Sequence, residues 1–204
     1  MSILSPKAEP FKQWLAQLGQ ERIEEIEIPE IAIERMREIY KAKGYSEKWI
    51  ESRLKSISIR KELTEEWKKR RVKEGQEYSI LTAEIAKATF GLTPSEHKTL
   101  KGLDRQNLRG HMTNLELIFT MLGEEVTKQF AIQDDALGFE ENHASATRGG
   151  TAAGEARRNL EKRGAKVVSS ENFLDQIENA EKNSLLQDGI KNHDNTEGVG
   201  RGLK

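Results

Sequence analysis

Apolar residues recur along most of this chain at spacings of three and four, and strict alternation over five or more residues is nearly absent, so almost every predicted element is a helix. After Ser5-Pro6, the residues Phe11, Trp14, Leu15 and Leu18 form one stripe, which extends past Gly19 to Ile26 at the usual glycine cost; the first helix is expected over about 7–26. Pro29 suits a first helical position, Ile33, Met36, Ile39 and Tyr40 make the next stripe, and Gly44 supplies a left-handed cap, which sets a second helix at about 29–43. Ser46 caps a third helix carrying Trp49, Ile50, Leu54 and Ile57. Thr64 starts a short fourth, in which Trp67 lies four residues after Leu63. Both tryptophans are expected in the core.

The turn at Lys73-Glu74-Gly75-Gln76 leads to a fifth helix, about 77–90, with Tyr78, Leu81, Ile85 and Ala88 on one face and Gly91 at its end. Thr93-Pro94-Ser95-Glu96 has the makings of a capping box and opens a short sixth helix, 94–101. Thr113-Asn114-Leu115-Glu116 repeats that arrangement before the most strongly patterned element, 114–132, with Leu115, Ile118, Phe119, Leu122, Val126 and Phe130 on one broad face. Residues 144–156 are dominated by Ala and Gly, which fits either a helix lying close against another backbone or one frayed at Gly149-Gly150. Val167-Val168 precede a serine-capped helix at about 170–180 with Phe173, Leu174 and Ile177, and the polar, glycine-rich end is expected to be disordered. The fold class is therefore all-α: a bundle of short helices, then a longer apolar helix and a small-residue-rich C-terminal helix. The expected organisation is a basic helical domain over 1–110, a helical C-terminal region over 111–180 and a tail over 181–204.

Composition narrows the function classes. Of 204 residues, 35% are hydrophobic and 33% charged, against about 25% charged in an average chain, so the core is thin and the surface rich in ions. With 33 Lys and Arg against 34 Asp and Glu the net charge is −1, and attraction to a polyanion or an anionic membrane has to be local. The absence of cysteine excludes disulfides, thiolate zinc sites and cysteine nucleophiles, and a cytoplasmic setting, nucleoid-associated or not, is the default. The apolar run at 115–122 is interrupted by Glu116 and Thr120, short of the ~20 residues that span a bilayer. MSILSPKAEP lacks the basic flank and apolar run of a signal peptide.

Catalytic patterns are missing. His97, His111, His143 and His193 occur in no HxxxH or HxH spacing, so no metal site is expected; His97 and His111, each near basic residues, would touch a phosphate or simply be solvated. Arg148-Gly149-Gly150-Thr151-Ala152-Ala153-Gly154 is glycine-rich but lacks the lysine and preceding strand of a nucleotide loop, and no nucleophile-elbow motif occurs. Neighbouring carboxylates such as Glu24/Glu25, Glu65/Glu66 and Asp134/Asp135 point different ways on a helix. Neither a catalytic residue nor a cofactor is assigned, and the chain reads as a non-enzyme.

Charge segregation is more informative. Glu21 to Glu38 holds seven glutamates and three arginines, whereas Lys41 to Lys73 holds twelve Lys or Arg and five Glu. The candidate nucleic-acid-binding residues are Arg60, Lys61, Lys68, Lys69, Arg70, Arg71 and Lys73, followed by Lys98, Lys101, Arg105 and Arg109. A further basic group is Arg157, Arg158, Lys162, Arg163 and Lys166. On duplex DNA each phosphate contact would steepen the salt dependence by about 0.9 log units; the competing arrangement is that these cations pair with the abundant glutamates and complement helix dipoles. Residues 80–101 also have a helix–turn–helix flavour, although the second helix is short for base reading.

The phrases SPKAEPFKQWL (5–15), ELTEEWKKR (62–70), YSILTAEIAKATFGLTPSEHKTLKGL (78–103), NLRGHMTNLELIFTMLGE (107–124) and NHASATRGGTAAGEARRNLEKRGAKVVSSENFL (142–174) resemble the DNA-damage-inducible protein D family, bacterial and prophage proteins with a BRO-type N-terminal domain related to phage antirepressors. In that family the first phrase closes the BRO domain, whose strand-containing body lies upstream. Here Met1 stands four residues before the motif, so the expectation is the helical C-terminal portion of such a protein, from a truncated gene, a split protein or an excised fragment. The resemblance implies a regulatory role in the DNA damage (SOS) response or prophage induction, with DNA, single- or double-stranded, or a DNA-bound repressor or recombination protein as partner. It implies no catalytic residue. The alternative is an interaction and oligomerisation module in which Leu115, Ile118, Phe119, Leu122 and Val126, with the small-residue helix, meet another copy or a partner.

Overall fold

A computed structural model describes residues 9–172, all of whose regular elements are helical. They form two compact units that divide at Ser46 and Glu47.

The first unit is a helical hairpin of α1 (Glu9–Glu27) and α2 (Glu30–Ala42). Pro29 starts α2 in helical geometry, φ −58°, and Gly44 follows its end at φ +82°. Arg35 of α2 reaches back to Glu25 of α1 at 2.7 Å, and Arg22 approaches the same carboxylate, which is buried between them. The large apolar side chains are less well covered. Phe11, Trp14, Leu15, Leu18, Ile23 and Ile26 of α1 are all exposed, as are Ile33 and Ile39 of α2.

The second unit holds α3 (Glu47–Lys69), α4 (Gln76–Phe90), α5 (Pro94–Leu100), a 3-10 turn at Leu108–Gly110, α6 (Asn114–Gln133) and α7 (Gly138–Lys162). Its core gathers Leu63, Trp67, Val72, Leu81, Ile85 and Ala146, with Tyr78 and Phe139 against them. Trp49 is anchored separately, its indole N–H donating to the Met112 carbonyl at 2.9 Å. Both capping boxes form: Thr93 with Glu96, and Thr113 with Glu116.

Four expectations need correction. The third and fourth predicted helices are one, α3, because Thr64 does not cap; its hydroxyl donates to the helix's own carbonyls at Arg60 and Lys61, and Leu63 and Trp67 bury on the same side. The expected division near residue 110 is absent, since α6 and α7 pack on α3 and α4 within the second unit, while the hairpin before Glu47 separates instead. The broad apolar face of α6 is not its buried face. Ile118 and Leu122 are exposed, whereas Glu116, Leu117, Phe119, Thr120, Gly123, Glu124, Thr127 and Ala131 are buried. The small-residue helix begins six residues earlier than expected, at Gly138, and runs unbroken through Gly149-Gly150.

That last outcome has a steric cause. A Cβ on Gly149 would strike the Thr127 backbone of α6, one on Gly150 would lie 2.8 Å from the Ile85 carbonyl oxygen of α4, and one on Gly154 would strike the Ala88 carbonyl. The glycines therefore let α7 touch two neighbouring backbones at once, and the packing offsets their low helix propensity. Arg157 completes the α4–α7 contact by donating from Nε to the Thr89 carbonyl at 2.7 Å, next to the left-handed Gly91 that closes α4. The predicted helix at 170–180 and the tail over 181–204 lie almost wholly outside the described residues, and 170–172 are not helical.

Candidate functional site

Two ionic clusters, both centred on glutamates of α6, organise the second unit. Glu116, fully buried, accepts from the Lys101 ammonium at 2.8 Å and bonds His97 Nε2 at 2.9 Å, while its second role as capping-box residue brings in the Thr113 N–H. Burial pushes this carboxyl up, but the hydrogen bonds from His97, Lys101 and Thr113 outweigh it, so Glu116 is held below the ordinary glutamate value. Lys101 spends its remaining donors on the Ser169 and Glu171 carbonyls, and Asn172 bridges the Lys101 carbonyl and His111 Nδ1. This cluster ties the end of α5, the start of α6 and the segment after α7 together.

The second cluster borders open space. Glu124 is shared by Arg60 of α3 and Arg109 of the loop before α6, with contacts of 3.3 Å to each. Arg60 also donates to the Thr82 hydroxyl and stacks 5.2 Å from the Trp67 ring centre. Burial is the main force drawing the Arg60 pKa below the ordinary arginine value; Glu124 opposes it, and the neighbouring Arg109 charge adds to it.

Beside this cluster lies a cleft of about 420 Å³. Ile85, Phe90 and Met112 give it an apolar lining, and Lys98, Arg105, Gln106, Asn107 and Arg109 a polar one. A smaller cavity of about 330 Å³ shares Thr82, Asn107 and Arg109 with it and adds Arg53, Ile57 and Arg60. Across both, Arg53, Arg60, Lys98, Arg105 and Arg109 stand against one carboxylate, Glu124. The threonines of the cleft are engaged: Thr82 and Thr120 donate to helix carbonyls at Tyr78 and Glu116, and Thr89 to the Gly150 carbonyl. No hydroxyl there sits beside a base as an activated nucleophile would.

The eleven predicted nucleic-acid-binding residues do not form one surface. Arg70 is buried and occupied by Glu66, Asp135 and the Ala136 carbonyl, and Lys101 is buried on Glu116; both hold the fold and face no ligand. Lys61, Lys68 and Lys69 are exposed but each lies within 4 Å of a carboxylate, of Glu65, Glu74 and Glu66 respectively. Arg71 and Lys73 are exposed in the turn after α3. Arg60, Lys98, Arg105 and Arg109 converge on the two cavities. Arg53 was not among the expected residues. Its sequence signal is its place in the basic stretch 41–73, two helical turns before Arg60 and so on the same face of α3.

The histidine expectation also changes. His97 is 1% exposed and His111 8% exposed, so neither is solvated nor available to a phosphate. Arg148 to Gly154 is mid-helix, with Arg148 on Asp134 and over the Phe130 ring, which excludes a phosphate loop there. Of the predicted interface residues, Ile118 and Leu122 are exposed, Leu115 and Val126 half-buried and Phe119 buried. Among the described residues no trio of His, Asp or Glu is placed to hold a metal, and no helix is long and apolar enough to cross a membrane. No family model matches the chain, and no curated protein matches it.

Proposed function

We propose that this protein is a non-enzymatic regulatory module of the DNA-damage-inducible or antirepressor type that contacts nucleic acid through the basic cleft between α3, α4 and the loop before α6. The observation that carries the reading is the imbalance of charge there: five basic side chains line the two adjoining cavities with one carboxylate among them. Lys61, Lys68 and Lys69 of α3 are each paired with a glutamate, and paired surface ions contribute little to attraction. The engaged threonine hydroxyls favour binding over chemistry. The resemblance of residues 5–174 to DNA-damage-inducible protein D supports the same direction.

Fluorescence anisotropy with labelled DNA at two salt concentrations tests it. Binding should weaken as salt rises, and Lys98→Glu with Arg105→Glu should reduce affinity at least tenfold, since neither side chain holds a carboxylate of the fold. Binding that is absent at low salt, or indifferent to that double reversal, refutes the proposal.

One observation favours a second reading, a protein interaction and oligomerisation module. Phe11, Trp14, Leu15 and Leu18 are exposed along one stripe of α1, and Ile118 and Leu122 are exposed one turn apart on α6, and neighbouring uncovered apolar side chains mark contact surfaces. Sedimentation of the wild-type chain against Trp14→Asp and Leu122→Asp separates this reading from the first: self-association should fall in one variant or the other while DNA affinity stays.

A further inference from the structure

Three guanidiniums, those of Arg53, Arg60 and Arg109, line the smaller cavity. Glu124 balances one of them, shared between Arg60 and Arg109. Arg53 Nε is buried and has no hydrogen-bond partner among the described residues. A buried donor without an acceptor is costly, and an excess of two positive charges in one recess is a standing demand for an anion. The arginines are also set back: the Arg60 side chain is 25% exposed and that of Arg109 18%. An anion has to enter the cavity to meet them. Next to it, within the shared wall of Thr82, Asn107 and Arg109, the larger cleft offers Ile85, Phe90 and Met112 to a flat apolar group. Its volume falls within the ~300–1,000 Å³ of small-ligand sites.

A duplex satisfies neither half of this arrangement. Its bases are stacked and paired, and its phosphates stand on a convex outer surface. A single strand can turn one base out of the stack and bring the adjoining phosphate inward. We propose that the cleft takes one unstacked nucleotide of a single strand, the base against Ile85, Phe90 and Met112, and the phosphate on Arg53, Arg60 and Arg109. This rests on the nucleic-acid reading above and specifies the form of the ligand.

The test measures anisotropy of a labelled oligothymidylate, the same strand made abasic, and its duplex with oligoadenylate, with thymidine monophosphate and inorganic phosphate as competitors. The intact strand should bind at least tenfold tighter than the duplex and the abasic strand. Arg53→Gln, which orphans no carboxylate, should lower affinity about tenfold and reduce the salt slope by about 0.7. Ala86→Phe, which fills the cleft without changing charge, should erase the difference between intact and abasic strands. Circular dichroism checks that each variant is folded, and either one alone decides the matter. Duplex or abasic strand binding as tightly as the intact strand overturns the inference while leaving the nucleic-acid reading in place. Thymidine monophosphate binding as tightly as the strand also overturns it, in favour of a free nucleotide. No binding to any probe overturns both.

Discussion

Gly150→Ala exchanges a gain in helix propensity for a clash, and the structure says which wins. In isolation the change should stabilise α7 by about 1 kcal/mol. The added Cβ, however, would lie 2.7 Å from the Ala88 Cβ, 2.8 Å from the Ile85 oxygen and 3.1 Å from the Ile85 Cα. Two of those atoms are backbone of α4, which cannot swing aside as a long side chain would. Restoring ordinary contact near 3.4 Å requires α7 to back away from α4 by about 0.7 Å. That would also lengthen the Thr89 hydroxyl's bond to the Gly150 carbonyl, already 3.4 Å. Overpacking of this kind costs about 1–3 kcal/mol, and with backbone on both sides the upper end applies. The net is a destabilisation of about 1–2 kcal/mol, a fall in Tm of about 2–8 °C for a domain of this size. Gly19 of α1 is the control: nothing lies within 4 Å of its Cβ position, so Gly19→Ala should raise helix stability by about 1 kcal/mol. Thermal and urea unfolding followed by circular dichroism read both. An increase in Tm for Gly150→Ala would refute the close approach of α7 to α4.

The remaining predictions concern the ionic clusters. Glu116→Gln leaves the fully buried Lys101 ammonium without its counter-charge and should cost about 3–5 kcal/mol in urea denaturation. Because the Glu116 carboxyl is depressed in the folded state, its contribution is fully present above the ordinary value of 4.5 and is lost as pH falls through the lower folded value. Stability measured against pH should therefore drop below 4.5 in the wild type, with a smaller drop in Glu116→Gln. Arg70→Ala should cost about 1.5–3 kcal/mol, chiefly through Glu66 and the Ala136 carbonyl, since Asp135 is largely exposed. Lys61→Ala, whose ion pair with Glu65 lies in solvent, should change stability by less than about 0.5 kcal/mol under the same assay.

Local signals in the sequence were decisive wherever a few neighbouring residues settle the geometry. Thr93 with Glu96, and Thr113 with Glu116, satisfy backbone donors within four residues, so the starts of α5 and α6 were legible without knowing what surrounds them. The same holds for the left-handed Gly91 after α4. Thr64 misled because a hydroxyl can satisfy itself inside a helix as readily as at its start, and only the burial of Leu63 and Trp67 shows which it does. The cleft was half legible. Lys98, Arg105 and Arg109 stood out as cations near one loop, but Arg53 and Arg60 come from α3 and meet them through packing alone.

By itself, the sequence determined that the chain is helical, where most helices begin and end, and that its charges are segregated along its length, because capping, glycine stops and periodicity act over a single turn. Which face of α6 is buried was decided by tertiary structure. Periodicity marks Leu115, Ile118 and Leu122, yet α7 approaches α6 so closely at Gly149 and Ala153 that α6 turns its small and polar side, Gly123, Thr127 and Glu124, inward. Partners remote in the chain make that possible: Lys101 and His97 for Glu116, Arg60 and Arg109 for Glu124. A buried charge is tolerated only with its counter-ion in place, and no local pattern records where that counter-ion will come from.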